Sequence, residues 1–111
     1  MGTDYASFTP MLKALSDETR LRIIDMLSCE ALCANEILEA FQFTQPTLSY
    51  HMKILHDAGL VRSVREGGWT RYSLIQEQSE ALIAFLTLIT REKEECICDP
   101  IRRKPGRKKG C

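Results

Sequence analysis

The 111-residue chain has no apolar run approaching the roughly 18 residues of a membrane-spanning helix, so neither such a helix nor a membrane partner is expected. Its first residues lack the layout of a signal peptide, from which a cytoplasmic location is expected. It has no even set of cysteines. Five thiols without an export signal point to reduced sulfur for metal or redox chemistry rather than a disulfide framework. No nucleophile, base and orienting group can be assembled from its residues, so an enzyme is not expected. Nor is there a net charge, since 15 Lys and Arg balance 15 Asp and Glu.

That balance is unevenly spread. Residues 1–43 carry 3 Lys/Arg against 7 Asp/Glu, 44–74 carry 4 against 2, 75–98 carry 2 against 5, and 99–111 carry 6 against 1. Positive charge therefore gathers in the middle segment and the tail, as phosphate binding requires.

The middle segment opens with TQPTLSYHMKILHDAG, residues 44–59, which reads as one helix. Thr44 suits the N-cap, Pro46 is tolerated in the first turn, and Gly59 ends it. Leu48, Met52 and Leu55 recur at helical spacing as a buried stripe, leaving Gln45, Thr47, Ser49, Tyr50 and Lys53 mostly off it. Hydrogen-bonding side chains near a helix N-terminus, where the dipole also favours phosphate, are the pattern of a recognition helix entering a major groove. Two β-like runs, residues 60–65 and 70–75, flank Glu66, Gly67 and Gly68, a hairpin signal. Arg62, Arg65 and Arg71 decorate that hairpin, and a basic hairpin after a helix-turn-helix makes a wing placed to touch phosphate or minor groove.

Three stretches in order, LKALSDETRLRIIDML (12–27), TQPTLSYHMKILHDAGLV (44–61) and REGGWTRYSL (65–74), resemble the ArsR/SmtB family of metal-responsive repressors over about residues 11–90. The resemblance implies a mainly α winged helix-turn-helix with a β-hairpin wing, in the order α-α-α-α-β-β-α, that pairs as a homodimer on double-stranded promoter DNA. His51 falls at the family's S-x-H position, implying a structural, DNA-proximal residue rather than a metal ligand.

Elsewhere, residues 5–15 form a first helix with Phe8, Met11, Leu12 and Leu15 on its apolar face. Ser16 caps a second, residues 17–28, with Leu21, Ile23, Ile24 and Leu27 toward the core and Arg20 and Arg22 on a solvated face. A third runs over 34–41, with Cys33 and Glu36 at the positions of a capping box. The last, residues 76–95, contains ALIAFLTLI, apolar nearly all round, and a domain this small cannot cover it alone. Pairing through this helix and the first would bury it and set two reading heads about 34–36 Å apart on a palindromic site.

Sulfur chemistry centres on the end of that helix, E-E-C-I-C-D-P, with Cys96 and Cys98, and on the final Cys111. Soft thiolates select soft ions. A third sulfur, from Cys111 or from Cys33, would complete a site for As(III) or Sb(III), or with a fourth ligand for cadmium(II), lead(II) or zinc(II). In the family's arsenic- and cadmium-sensing branches a Cys-x-Cys pair stands where this chain reads A-L-C-A-N-E-I, so Cys33 matches the first ligand and Asn35 replaces the second. Against the zinc-sensing branch, the last helix has no histidine, and against the persulfide sensors, Asp25 stands where their second helix carries cysteine.

Two units are expected, a winged-helix and dimerisation domain over 1–95 and a Cys-containing basic tail over 96–111, too polar to pack. The function these readings favour is a repressor that binds promoter DNA as a dimer and is released by a thiophilic ion. The alternatives are a thiol redox or persulfide-sensing repressor on the same fold and a Cys-x-Cys metal-trafficking protein.

Overall fold

The computed structural model describes residues 4–92. Helix α1 (Tyr5–Leu15) starts on Asp4, whose carboxylate accepts from the backbone amide and hydroxyl of Ser7. These bonds hold the Asp4 carboxyl below its ordinary range. At the other end the Ser16 hydroxyl donates to the Lys13 carbonyl at 2.8 Å. Ser16 is thereby spent on closing α1, and the cap of α2 (Glu18–Leu27) is Asp17, contrary to the expectation from sequence. Its carboxylate accepts from the Arg20 amide at 3.0 Å, a bond that lowers its pKa. A lowered folded-state value means that this stabilisation is present above the ordinary carboxylate range and lost as pH falls through the lowered value.

A two-residue strand, β1 (Leu32–Cys33), leads into α3 (Ala34–Leu38). The helix is shorter than the 34–41 expected because its last turn tightens: the amides of Ala40 and Phe41 bond three residues back, to Ile37 and Leu38. Helix α4 (Gln45–Asp57) ends in a Schellman arrangement, Leu60 N–H to the Leu55 carbonyl and Gly59 N–H to that of His56, both at 3.0 Å. Gly59 has φ +81°, a backbone conformation that requires glycine here; a Cβ would also lie 3.0 Å from the side-chain amide nitrogen of Gln78, which would have to shift.

Strands β2 (Val61–Glu66) and β3 (Trp69–Leu74) pair antiparallel with Glu66 opposite Trp69, across a turn in which Gly67 has φ +64°. β1 pairs with the other edge of β3, giving the order β1-β3-β2. That third strand was not foreseen, since two residues carry no alternation. Helix α5 (Gln76–Thr90) ends with Arg91 extended, before the expected end at 95, of which 93–95 lie outside the described residues. A further turn would set Glu92 against the negative end of the helix dipole.

The core draws on every helix and on the start of β2: Met11, Ala14, Ile23, Leu27, Ile37, Leu48, Met52, Leu55, Leu60, Val61, Leu82 and Phe85. Phe8, Leu15 and Ile24 pack partly buried against it. Leu12 and Leu21 do not join it; they lie off the buried stripes of α1 and α2 and are exposed. Phe85 stacks on Phe8 at 4.3 Å and meets Tyr5 edge-on at 6.2 Å, tying α5 to α1. Beyond that seam Ile83, Leu88 and Ile89 of α5 and Tyr5 and Leu12 of α1 remain exposed. Among the described residues no helix is long and apolar enough to cross a membrane.

Candidate nucleic-acid interface

Helix α4 sits with Leu48, Met52 and Leu55 buried, which turns its opposite face outward. Gln45, Ser49, Tyr50 and Lys53 are exposed on it, and Thr47 and His51 are half-buried. Gln45 and Ser49 line a polar cleft of about 370 Å³ shared with Asn35 of α3 and with Arg65, Trp69 and Thr70 of the wing. Helix α4 and the wing thus share one cleft.

The detail differs from residue to residue. Thr44 is at the N-cap in extended conformation, but its hydroxyl faces that of Thr47 at 3.4 Å and caps no backbone amide. Lys53 bonds Asp57 at 2.9 Å, one turn on, and this pairing lowers the Asp57 pKa. Arg71 bonds Glu66 at 3.1 Å and the Ala31 carbonyl at 3.3 Å; the Glu66 contact raises the guanidinium pKa further. Two of the cations assigned to DNA are therefore already partnered. Among the described residues Arg62 and Arg65 make no ion pair.

Arg65→Ala is accordingly expected to weaken duplex binding alike for all sequences and to reduce the log–log salt slope by about 1, as loss of one phosphate contact does. Lys53→Ala should change the slope by less, because Asp57 competes for that ammonium. Affinity titrations over a range of salt concentrations measure both.

The expectation that Arg20 and Arg22 lie on a solvated face holds for Arg22, which is exposed, and is corrected for Arg20, which is half-buried. The Arg22 guanidinium lies 4.7 Å from the Phe41 ring centroid, a cation–π contact, with Phe43 stacked behind Phe41. Arg20 is part-buried and reaches both the Ala14 carbonyl, at 2.6 Å, and His51 Nδ1, at 3.1 Å. Sequence reading missed this because an i,i+4 pattern carries no information about a partner 31 residues away.

Of the sulfur candidates, Cys33 is half-buried at the N-cap of α3, and its N–H donates to the Glu36 carboxylate at 2.7 Å, so the capping box is present. Cys33 faces Arg71 across the strand pair, and Cys29 is exposed. Among the described residues no three His, Cys, Asp or Glu side chains gather closely enough to hold an ion. Cys96, Cys98 and Cys111 lie outside the described residues.

Residues 17–63 match the model of the bacterial regulatory protein, arsR family. The arsenical resistance operon repressor of Staphylococcus aureus is 42% identical to this chain over 98 residues, 88% of the chain and 94% of that repressor. The chain belongs to the ArsR family. A second arsenical resistance operon repressor, from Staphylococcus xylosus, is 44% identical over 94 residues, 85% of this ArsR-family chain and 90% of its relative. The solved structure of HlyU from Vibrio cholerae superposes with a TM-score of 0.67 at 30% identity, covering 81% of this chain and 98% of HlyU. As an ArsR-family protein the chain is a winged helix-turn-helix DNA-binding regulator, not an enzyme.

Proposed function

We propose that this chain is a metal(loid)-responsive transcriptional repressor, a homodimer that holds a palindromic promoter element until a thiophilic ion, As(III) or Sb(III) first, binds and releases it. The observation that carries this reading is the match to arsenical resistance operon repressors over nearly their whole length. An exposed polar face on α4 beside two wing arginines that make no ion pair among the described residues is what such a function needs. Dimerisation through α1 and α5 would cover Tyr5, Leu12, Ile83, Leu88 and Ile89, which the single chain leaves exposed.

Cys96 and Cys98 supply two thiolates of the ion site. We take Cys111 as the third, with Cys33 at the N-cap of α3 as the alternative. Three sulfurs suit a trigonal As(III) or Sb(III), each thiol giving up its proton on binding. An ion that favours the low-affinity state by about 1–3 kcal/mol lowers operator affinity some 5- to 150-fold.

Alkylation of the reduced protein with and without arsenite, read by mass spectrometry, tests the ligand set. Arsenite should protect Cys96, Cys98 and Cys111 while Cys29 stays reactive. Equal labelling of all five cysteines would remove the site.

A further inference from the structure

We infer that Arg20 is a positioning residue that fixes His51 of the recognition helix as its neutral Nε2–H tautomer, the form in which the ring donates to a phosphate oxygen of bound DNA. The inference rests on the repressor reading for its DNA partner, but its first step is a property of the free protein.

A guanidinium has five N–H donors and no acceptor, and it stays charged at every working pH. At 3.1 Å from Arg20 Nη1, His51 Nδ1 must therefore accept, and the ring proton must reside on Nε2. A doubly protonated ring would turn an N–H toward a cation and lose that bond. The tautomer is thus set by a neighbour that can only donate.

Arg20 is itself held from several sides. Its Nε donates to the Ala14 carbonyl, one of the terminal carbonyls of α1 that have no intrahelical donor, and its own amide is taken by the Asp17 cap. The guanidinium therefore fastens the end of α1 and the start of α2 to the outward part of α4. His51 is further bracketed by Phe43, with ring centroids 6.0 Å apart, and by Tyr50, edge-on at 5.3 Å. Tyr50 is itself exposed, at 62% of its free surface. A ring confined in this way loses little freedom on meeting DNA.

Long-range proton–nitrogen NMR of the free protein tests the first step, with a histidine in a short unstructured peptide as reference, because His56 Nδ1 lies 3.7 Å from the Asp57 carboxylate. His51 should show a protonated Nε2 and a bare Nδ1, and Arg20→Ala should return it to the tautomer mixture of the peptide. An Nδ1–H form, or a mixture like that of the peptide in the unaltered protein, would overturn the inference without the variant being needed. The second step is read by duplex affinity. His51→Gln, whose amide mimics an Nε2–H donor, should bind within about 3-fold of the unaltered protein, and His51→Asn should bind about 10-fold or more weakly. Equal loss in both would overturn the donor role. Should the unaltered protein bind no duplex, the repressor reading and the DNA step both fall, while the NMR result still decides what Arg20 does to the ring.

Discussion

Ile83→Glu should leave the chain folded but monomeric and lower its affinity for an operator duplex by about 10²- to 10⁴-fold, the range over which joining two binding modules raises avidity. Ile83 is 63% exposed in the single chain, so the carboxylate meets water and stability should change little. In a dimer built on α1 and α5 the same carboxylate would be desolvated against apolar side chains without a partner, which costs several kcal/mol. Analytical ultracentrifugation beside an operator titration separates the two effects. A variant that remains dimeric and binds normally would move the dimer contact away from this face.

Leu55→Ala should cost about 2–5 kcal/mol, a large share of the roughly 5–15 kcal/mol of a small domain. Leu55 is completely buried and belongs to the stripe that fixes how α4 faces outward, together with Leu48 and Met52. Urea unfolding should show a lower midpoint with an unchanged slope. On the opposite face Tyr50→Ala should alter stability by less than about 0.5 kcal/mol and weaken duplex binding instead. Loss of less than about 1 kcal/mol in Leu55→Ala would mean that the stripe is not what seats the helix.

Much of this division of one helix into a seat and a reading face was legible beforehand, because the apolar residues of α4 repeat with the period of a helix and Gly-Gly marks the wing turn. Local chemistry served well where the partner is a few residues away, as with Glu36 and the Cys33 amide or Gly59 at the end of α4. It served less well where two local options competed. Ser16 and Asp17 both suit an N-cap, and only the path of the chain decides that Ser16 turns back to Lys13 while Asp17 caps α2.

Contacts between elements were not legible. Arg20 reads as a surface arginine until α1 and α4 are placed beside it, and Leu32 and Cys33 become a strand only because β3 offers a free edge. Charge was the least transferable sign. Lys53 and Arg71 look like phosphate ligands in the sequence, yet Asp57 and Glu66 hold them in the free protein, while Arg62 and Arg65 of the wing make no ion pair among the described residues.

In the proposed function, ion binding and DNA binding oppose each other in this ArsR-family chain. The most direct measurement is fluorescence anisotropy of a labelled duplex from the gene's own promoter, saturated with reduced protein and then titrated with arsenite. The expected result is a fall in anisotropy that is absent in Cys96→Ser, although that variant binds the duplex normally. A complex that ignores arsenite and other thiophilic ions but dissociates on thiol oxidation would contradict it and make the protein a redox sensor.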